Sequence, residues 1–312
     1  MIKLQTLVDT GNSRTGISLK DRIMICGSCF ADNVGSKLQA AGFDVYQNPF
    51  GTLYNPVSLC NSFARLRAAS PFCEDETVQM GSGSELFCSF SHHTSFARAE
   101  RYEFLENANI KLKEASDFYK RCNKVIITLG TSWCFKHLPD GEIVSNCLKR
   151  NANEFERVFL ESELTFGLLK RLVETGISDN HCPKKFIFTV SPIRHMKDGA
   201  HGNQISKASL LLAVEKLCRI YPEACEYFPA YEIVMDELRD YRFYAEDMVH
   251  PSELAVKIIW ERFCDFAVPE SERQDLASNE RAYRQSLHIQ KRYPTPVPIQ
   301  ISNSIFLCLK CN

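Results

Sequence analysis

The sequence predicts an α/β fold in which a parallel sheet is covered by helices on both faces. Three apolar runs carry that reading: Ile23-Met24-Ile25, Lys124 to Leu129 and Lys185 to Val190, each of strand length and rich in β-branched or aromatic residues. Between them lie longer stretches in which apolar residues return every three or four positions. Strands that alternate with helices in this way imply a three-layer α/β/α arrangement with a parallel central sheet.

Taken in order, residues 1 to 20 read as a polar lead-in. The first strand enters a turn at Gly27-Ser28 and continues as a helix from Asp32 to Ala41. Phe43 to Tyr46 reads as a second strand. In Asn48 to Pro56, dense in turn formers, Asn55-Pro56 supplies a cap and a first-turn proline for a helix burying Leu59, Phe63 and Leu66. Residues 71 to 104 are irregular and read as an insertion of short strands and loops beside the site. A helix from Leu105 to Cys122 leads into the strand that ends at Leu129, followed by Gly130-Thr131-Ser132. Residues 136 to 153 suggest a hairpin around Pro139-Asp140-Gly141. Glu161 to Glu174 has helical spacing at Leu164, Leu168, Leu169 and Leu172. After the strand at 185–190 come a helix from Gln204 to Ile220 and a short strand region from Ala224 to Val234. The last helix shows one face through Leu254, Ile258, Ile259, Phe263 and Phe266. These features divide the chain into a domain over residues 1–267 and an extension over 268–312, with prolines at 294, 296 and 298.

Composition narrows the function. Thirty-seven basic against 38 acidic residues leave a net charge of −1, so no basic field points to nucleic acid. The N-terminus lacks the apolar core of a secretory signal, and no apolar run reaches membrane-spanning length. The expectation is a cytoplasmic protein without a membrane partner. Fourteen cysteines, scattered through strands and helices, then read as reduced thiols. Cys308-Leu309-Lys310-Cys311 has no second pair near it in sequence and is not taken as a metal knuckle. The oligomeric state is left open.

Two distant stretches carry chemistry. Ser28 stands at a strand-to-helix corner, the carboxyl edge where open α/β sheets bind ligands. Its hydroxyl is placed to attack a carbonyl, and its N–H to hold the oxyanion. Near the other end, Asp247-Met248-Val249-His250-Pro251 sets a carboxylate three residues before an imidazole. Asp247 is thereby placed to fix the tautomer of His250, which takes the serine proton. Each element alone is common: a Gly-Ser turn is usually a helix cap, and His250 before Pro251 is also an ordinary helix start.

The order of these parts resembles the SGNH/GDSL hydrolases, and Gly27-Ser28-Cys29-Phe30-Ala31 is similar to the signature of the GSCFA family within that group. The resemblance extends to Tyr54-Asn55-Pro56, Leu129-Gly130-Thr131, Ser191 to His195 and Asp247 to Pro251, covering about residues 20 to 265. It implies a flavodoxin-like sheet, catalysis by Ser28, His250 and Asp247, and hydrolysis of a small acyl ester, acetyl above all, on a carbohydrate or glycan. No cofactor is implied. The oxyanion donors it implies are the N–H groups of Ser28 and Gly51. Where SGNH enzymes carry a third donor in a Gly-x-Asn block, this chain has Gly130-Thr131-Ser132, leaving a hydroxyl of Ser132 or Thr131 in the Asn place. Asn55, His93, Arg194, His195, His201 and Asn203 are candidates for contact with substrate.

Other readings stay open on the residues alone. Acyl transfer to another hydroxyl uses the same residues. A non-catalytic carbohydrate-binding protein is compatible with the same scaffold. Cys26-Gly27-Ser28-Cys29 is a C-x-x-C that suits thiol–disulfide exchange, although it leaves Asp247 and His250 without a task. His92, His93, His195, His201, Asp247 and His250 are metal-ligand types, but no metal-site spacing organises them.

Overall fold

A computed structural model describes residues 5–292, with side chains described through residue 287. Five strands form the central sheet: β1 (Arg22–Gly27), β2 (Asp44–Gln47), and further on three more at 124–129, 185–190 and 225–227. Between β1 and β2 runs α1 (Cys29–Ala40), and after β2 comes α2 (Pro56–Ala68). The insertion holds a two-stranded ribbon, β3 (Val78–Gln79) and β4 (Phe87–Cys88), before α3 (Arg101–Arg121) leads into β5 (Lys124–Leu129). A second antiparallel sheet follows, made of β6 (Trp133–His137), β7 (Ile143–Val144) and β8 (Phe155–Phe159), ordered β7-β6-β8. Then come α4 (Ser162–Ile177), β9 (Lys185–Val190), α5 (Gly199–Ile220) and β10 (Cys225–Tyr227). The chain continues through α6 (Ala230–Glu232), which passes into a π-helical stretch, then α7 (Glu253–Ala267) and α8 (Arg273–Arg292).

The sheet order is β10-β9-β5-β1-β2, and every pairing in it is parallel. Counted along the chain, these five strands run 2-1-3-4-5 from one edge, the flavodoxin-like order. The direction of winding reverses between β1 and β5, which opens a crevice at their carboxyl ends.

Two cores sandwich the sheet because strand side chains alternate between its faces. Met24, Cys26, Val125, Ile127, Phe186 and Phe188 meet α2, α3, α4 and α5 on one side. On the other, Ile23, Ile25, Ile126 and Ile187 meet α1, α7, α8 and the segment around α6. This is the three-layer arrangement expected from the alternating pattern.

Several elements differ from the sequence reading. Helix α1 starts at Cys29 rather than Asp32, because Ser28 already has extended backbone and caps the helix with its side chain. Helix α3 starts at Arg101, inside the expected insertion, because Phe104 and Ala108 are its first buried residues. Strand β8, beyond the expected hairpin, completes the second sheet along β6 from Trp133–Phe159 to His137–Phe155. The region 224–234 holds only three strand residues before it turns helical. Leu164 and Leu254 are exposed, so the buried faces of α4 and α7 are narrower than their apolar spacing implied. In the extension past 267, as far as it is described, α8 packs on the body and buries Leu276. Cys308, Cys311 and the prolines at 294, 296 and 298 lie outside the described residues.

Candidate active site

The β1–α1 corner forms because Gly27 takes φ +146°, and a Cβ there would stand 2.1 Å from the Thr128 carbonyl oxygen. Only glycine lets β1 run so close to β5. Asn48 supports the same corner: its side-chain oxygen accepts from Gly27 N–H at 2.9 Å, and its amide donates to Asp32 at 2.6 Å.

Ser28 is fully buried. Its N–H reaches the Thr128 carbonyl at 3.2 Å and the Thr128 hydroxyl at 3.1 Å. Its own hydroxyl accepts from Phe30 N–H at 3.3 Å and lies 3.4 Å from Thr128 Oγ1. The serine is therefore tied into the sheet and the first turn of α1.

The Asp247–His250 pair takes the form expected from its spacing. His250 Nδ1 lies 2.6 Å from Asp247 Oδ2, while Asp247 Oδ1 accepts from the N–H groups of Val249 and His250 at 2.9 Å each. Those hydrogen bonds hold the Asp247 carboxyl down at about 2, so it stays a carboxylate throughout the neutral range. The loop is clamped from the end of β9: Arg194 N–H donates to Val249 O at 3.1 Å, and the Arg194 guanidinium to Met248 O at 3.0 Å. Met248 needs that clamp, since its φ is +56°. Both halves of the site thus sit at the carboxyl edge, one after β1 and the other held by the segment after β9. Among the described residues no hydrogen bond joins Ser28 to His250.

Between the halves stand Tyr54 and His195. The Tyr54 hydroxyl lies 3.7 Å from Cys29 Sγ and 3.4 Å from Thr52 Oγ1. Its ring meets that of His195 edge-on at 5.7 Å between centroids. His195 covers Gly130, where a Cβ would come within 3.1 Å of Nε2. Burial, helped by the nearby Lys207 ammonium, drives the His195 imidazole down to about 3. At neutral pH it is an uncharged wall. Lys207 is itself buried, with its ammonium on the carbonyls of Gly130 at 2.6 Å and Ser191 at 2.7 Å; desolvation lowers it to about 7. It ties together the carboxyl ends of β5 and β9.

The expected oxyanion donors are engaged elsewhere. Gly51 N–H donates to Asn48 O at 2.8 Å in a turn with φ +81°, closed against His93. Thr131 N–H goes to Tyr54 O at 3.0 Å, and the Thr131 hydroxyl lies 3.0 Å from Ser206 Oγ. The fully buried Ser132 donates its hydroxyl to Ser206 O at 3.1 Å. These groups hold the loops in place. The first N–H of α1, that of Cys29, has no intrahelical partner by position.

The remaining candidates divide. Asn55 caps α2 by accepting from Ser58 N–H at 2.9 Å, and no described hydrogen bond uses its amide nitrogen. Asn203 Oδ1 receives the His195 N–H at 2.9 Å, which makes it a support of that loop. His93 packs on Gly51 and shares Nδ1 with Ser95 at 3.0 Å. His201 is exposed on α5 and makes no described hydrogen bond. A cavity of about 270 Å³ lies beside the clamped loop, lined by Arg194, Asn203, Gln204, Met235, Arg239 and Tyr244 among others.

The redox and metal readings meet specific obstacles. Cys26 lies within β1 with its thiol in the core, and burial pushes that thiol far above the usual range, opposite to a reactive dithiol. Cys26 and Cys29 are both free. Among the described residues no group of three or more His, Cys, Asp or Glu is placed to hold a metal ion. No described helix is long and apolar enough to cross a membrane.

Tyr54 and Asp32 are not read as site residues from the sequence, and Cys29 is read only as half of a C-x-x-C. A signal was present: Cys29 and Asp32, three apart on the first turn of α1, share one face of the helix.

A doubly wound parallel sheet, with an Asp–His pair and a helix N-terminus brought to its carboxyl edge, defines a three-layer α/β protein with a candidate site there. The chain belongs to the GSCFA family, whose model matches residues 22–263. No protein of curated function matches it.

Proposed function

We propose that the chain is an ester hydrolase of SGNH type, removing a small acyl group, acetyl above all, from a carbohydrate or glycan. The observation that carries this reading is the Asp247–His250 pair: a 2.6 Å contact to Nδ1 fixes the tautomer and leaves Nε2 free to accept a proton. The nucleophile stands on the β1–α1 corner, which offers the Ser28 hydroxyl and the Cys29 thiol side by side. His250 takes the nucleophile's proton as the acyl carbonyl is attacked, gives it to the leaving alcohol, and then activates water to release the acid. Asp247 orients the imidazole and balances its charge. The N–H of Cys29, unspent by its position at the start of α1, is the donor proposed for the oxyanion. Acyl transfer to a second hydroxyl needs the same groups, with an alcohol in place of water.

The test is hydrolysis of short-chain p-nitrophenyl esters and of acetylated sugars by the wild type and by His250→Ala. The variant should lose about 10² to 10⁴ in kcat/KM, the usual contribution of a general base. Equal activity in the two proteins sinks the reading.

A further inference from the structure

We propose that the nucleophile is the thiol of Cys29, with Ser28 acting as the cap that holds it in place, so that the acyl group passes through a thioester. This rests on the hydrolase reading above and names the atom that attacks.

Three independent features select Cys29. The Ser28 hydroxyl is fully buried and enclosed between Phe30 N–H and Thr128 Oγ1, while the Ser28 N–H is spent on Thr128. Freeing that hydroxyl for attack means uncapping α1 and breaking its link to β5. Cys29, by contrast, is only half-buried and is the first residue of the helix. Its own N–H is unspent by position, and negative charge is favoured at a helix N-terminus. The second feature is direction: Cys29 Sγ lies toward the Tyr54 hydroxyl, 3.7 Å away, and Tyr54 in turn meets His195. That is the side on which Arg194 fixes the Asp247–His250 loop. The third is company: the thiol stands one residue from the buried cap, at the same carboxyl edge of the sheet as the Asp247–His250 pair.

The step balances without a redox partner. Cys29 Sγ forms a bond to the acyl carbon as the thiol proton moves to His250 Nε2. The acyl C–O bond breaks, and the departing alkoxide takes that proton and leaves as the alcohol. Water then adds to the thioester with its proton passing to His250, the C–S bond breaks, and the thiolate regains a proton as the acid departs. Cys29 N–H holds the oxyanion in both halves.

The experiment compares Cys29→Ala, Cys29→Ser and Ser28→Ala in the full chain, with circular dichroism and a urea midpoint to show that each folds. Cys29→Ala should lose on the order of 10³ or more in kcat while its fold is retained. Ser28→Ala should lower the urea midpoint as a lost cap and should lose at least about tenfold less in kcat than Cys29→Ala. After an acid quench with p-nitrophenyl acetate, the acetyl group should be found on the peptide carrying Cys29 and be released by hydroxylamine. Loss of activity confined to Ser28→Ala, or acetyl on Ser28, overturns the assignment. If the wild type cleaves no ester, the hydrolase reading fails by itself. The nucleophile is then read from site-resolved iodoacetamide labelling, in which Cys29 should react at least about tenfold faster in wild type than in His250→Ala. Equal labelling rates overturn it.

Discussion

At the scale of single residues, burial changes what familiar side chains do. His92 is fully buried among Phe50, Phe72, Phe96 and Phe104, and its Nδ1 lies 2.7 Å from Ser89 Oγ. Desolvation drives it down to about 3, whereas an unfolded histidine titrates near 6.5. Between those two values the unfolded chain binds the extra proton, so the stability owed to a neutral His92 is complete above about 6.5 and drains away as pH falls toward 3. Urea midpoints at pH 7 and pH 4.5 should differ by more in wild type than in His92→Leu, by about 1.4 kcal/mol per pH unit crossed. An equal pH dependence in both proteins removes His92 from the account. The same physics explains why Ser28 was legible as a corner residue but its burial was not. The Gly-Ser turn announces itself in sequence; the Thr128 side chain that encloses it comes from a strand 100 residues away. The Asp247–His250 contact was legible because it is local, three residues apart and closed by its own loop.

At the scale of elements, the corner after β1 is held by close approach rather than by hydrogen bonds alone. Gly27→Ala puts a methyl 2.1 Å from the Thr128 carbonyl oxygen at φ +146°, a conformation an L-side chain rarely adopts. The substitution should cost at least about 3 kcal/mol, the sum of backbone strain and overpacking. It should also displace Ser28 and the start of α1, so that a denaturant midpoint and ester hydrolysis fall together. A stable, fully active Gly27→Ala would mean that β1 and β5 are not pressed together here. Strand-length runs such as 124–129 and 185–190 were readable because both sheet faces are covered and, after an opening lysine, the runs are apolar except for one threonine each. β8 was not. Its Phe155-Glu156-Arg157-Val158-Phe159 mixes charge into a small antiparallel sheet, with half-buried rings at both ends, and pairing with β6 rather than local pattern makes it a strand.

At the scale of the whole molecule, strand order is what converts two remote motifs into one edge. The order 2-1-3-4-5 sets β5 between β1 and β9, with neighbouring strands about 4.8 Å apart, so the corner at residue 28 and the loop clamped by Arg194 face the same crevice. Alternation of strands and helices made the parallel, three-layer sheet readable and the family resemblance implied its flavodoxin-like order, whereas the partner of α1 on its outer side was not legible. Helix α8 supplies it: Leu276 is buried beside the α1 core, Asn279 donates to Ala41 O at 3.0 Å, and Trp260 Nε1 donates to Glu280 at 3.0 Å. The N-terminal segment is drawn in too, through Leu19 N–H to Glu272 at 2.7 Å. A segment so joined stabilises the layer that carries the β1–α1 corner, with no described hydrogen bond to Ser28, Cys29, Asp247 or His250. Leu276→Ala should therefore cost about 2 to 5 kcal/mol, the range for a buried leucine, and a chain ending at Val268 should lose stability in the same direction. Both should keep wild-type kcat/KM at temperatures where they remain folded, as a urea titration beside an ester assay would read. If either leaves the urea midpoint unmoved, the layer carrying the β1–α1 corner is complete without α8 and the domain ends at residue 267. If activity falls while the fold holds, α8 acts on the site itself.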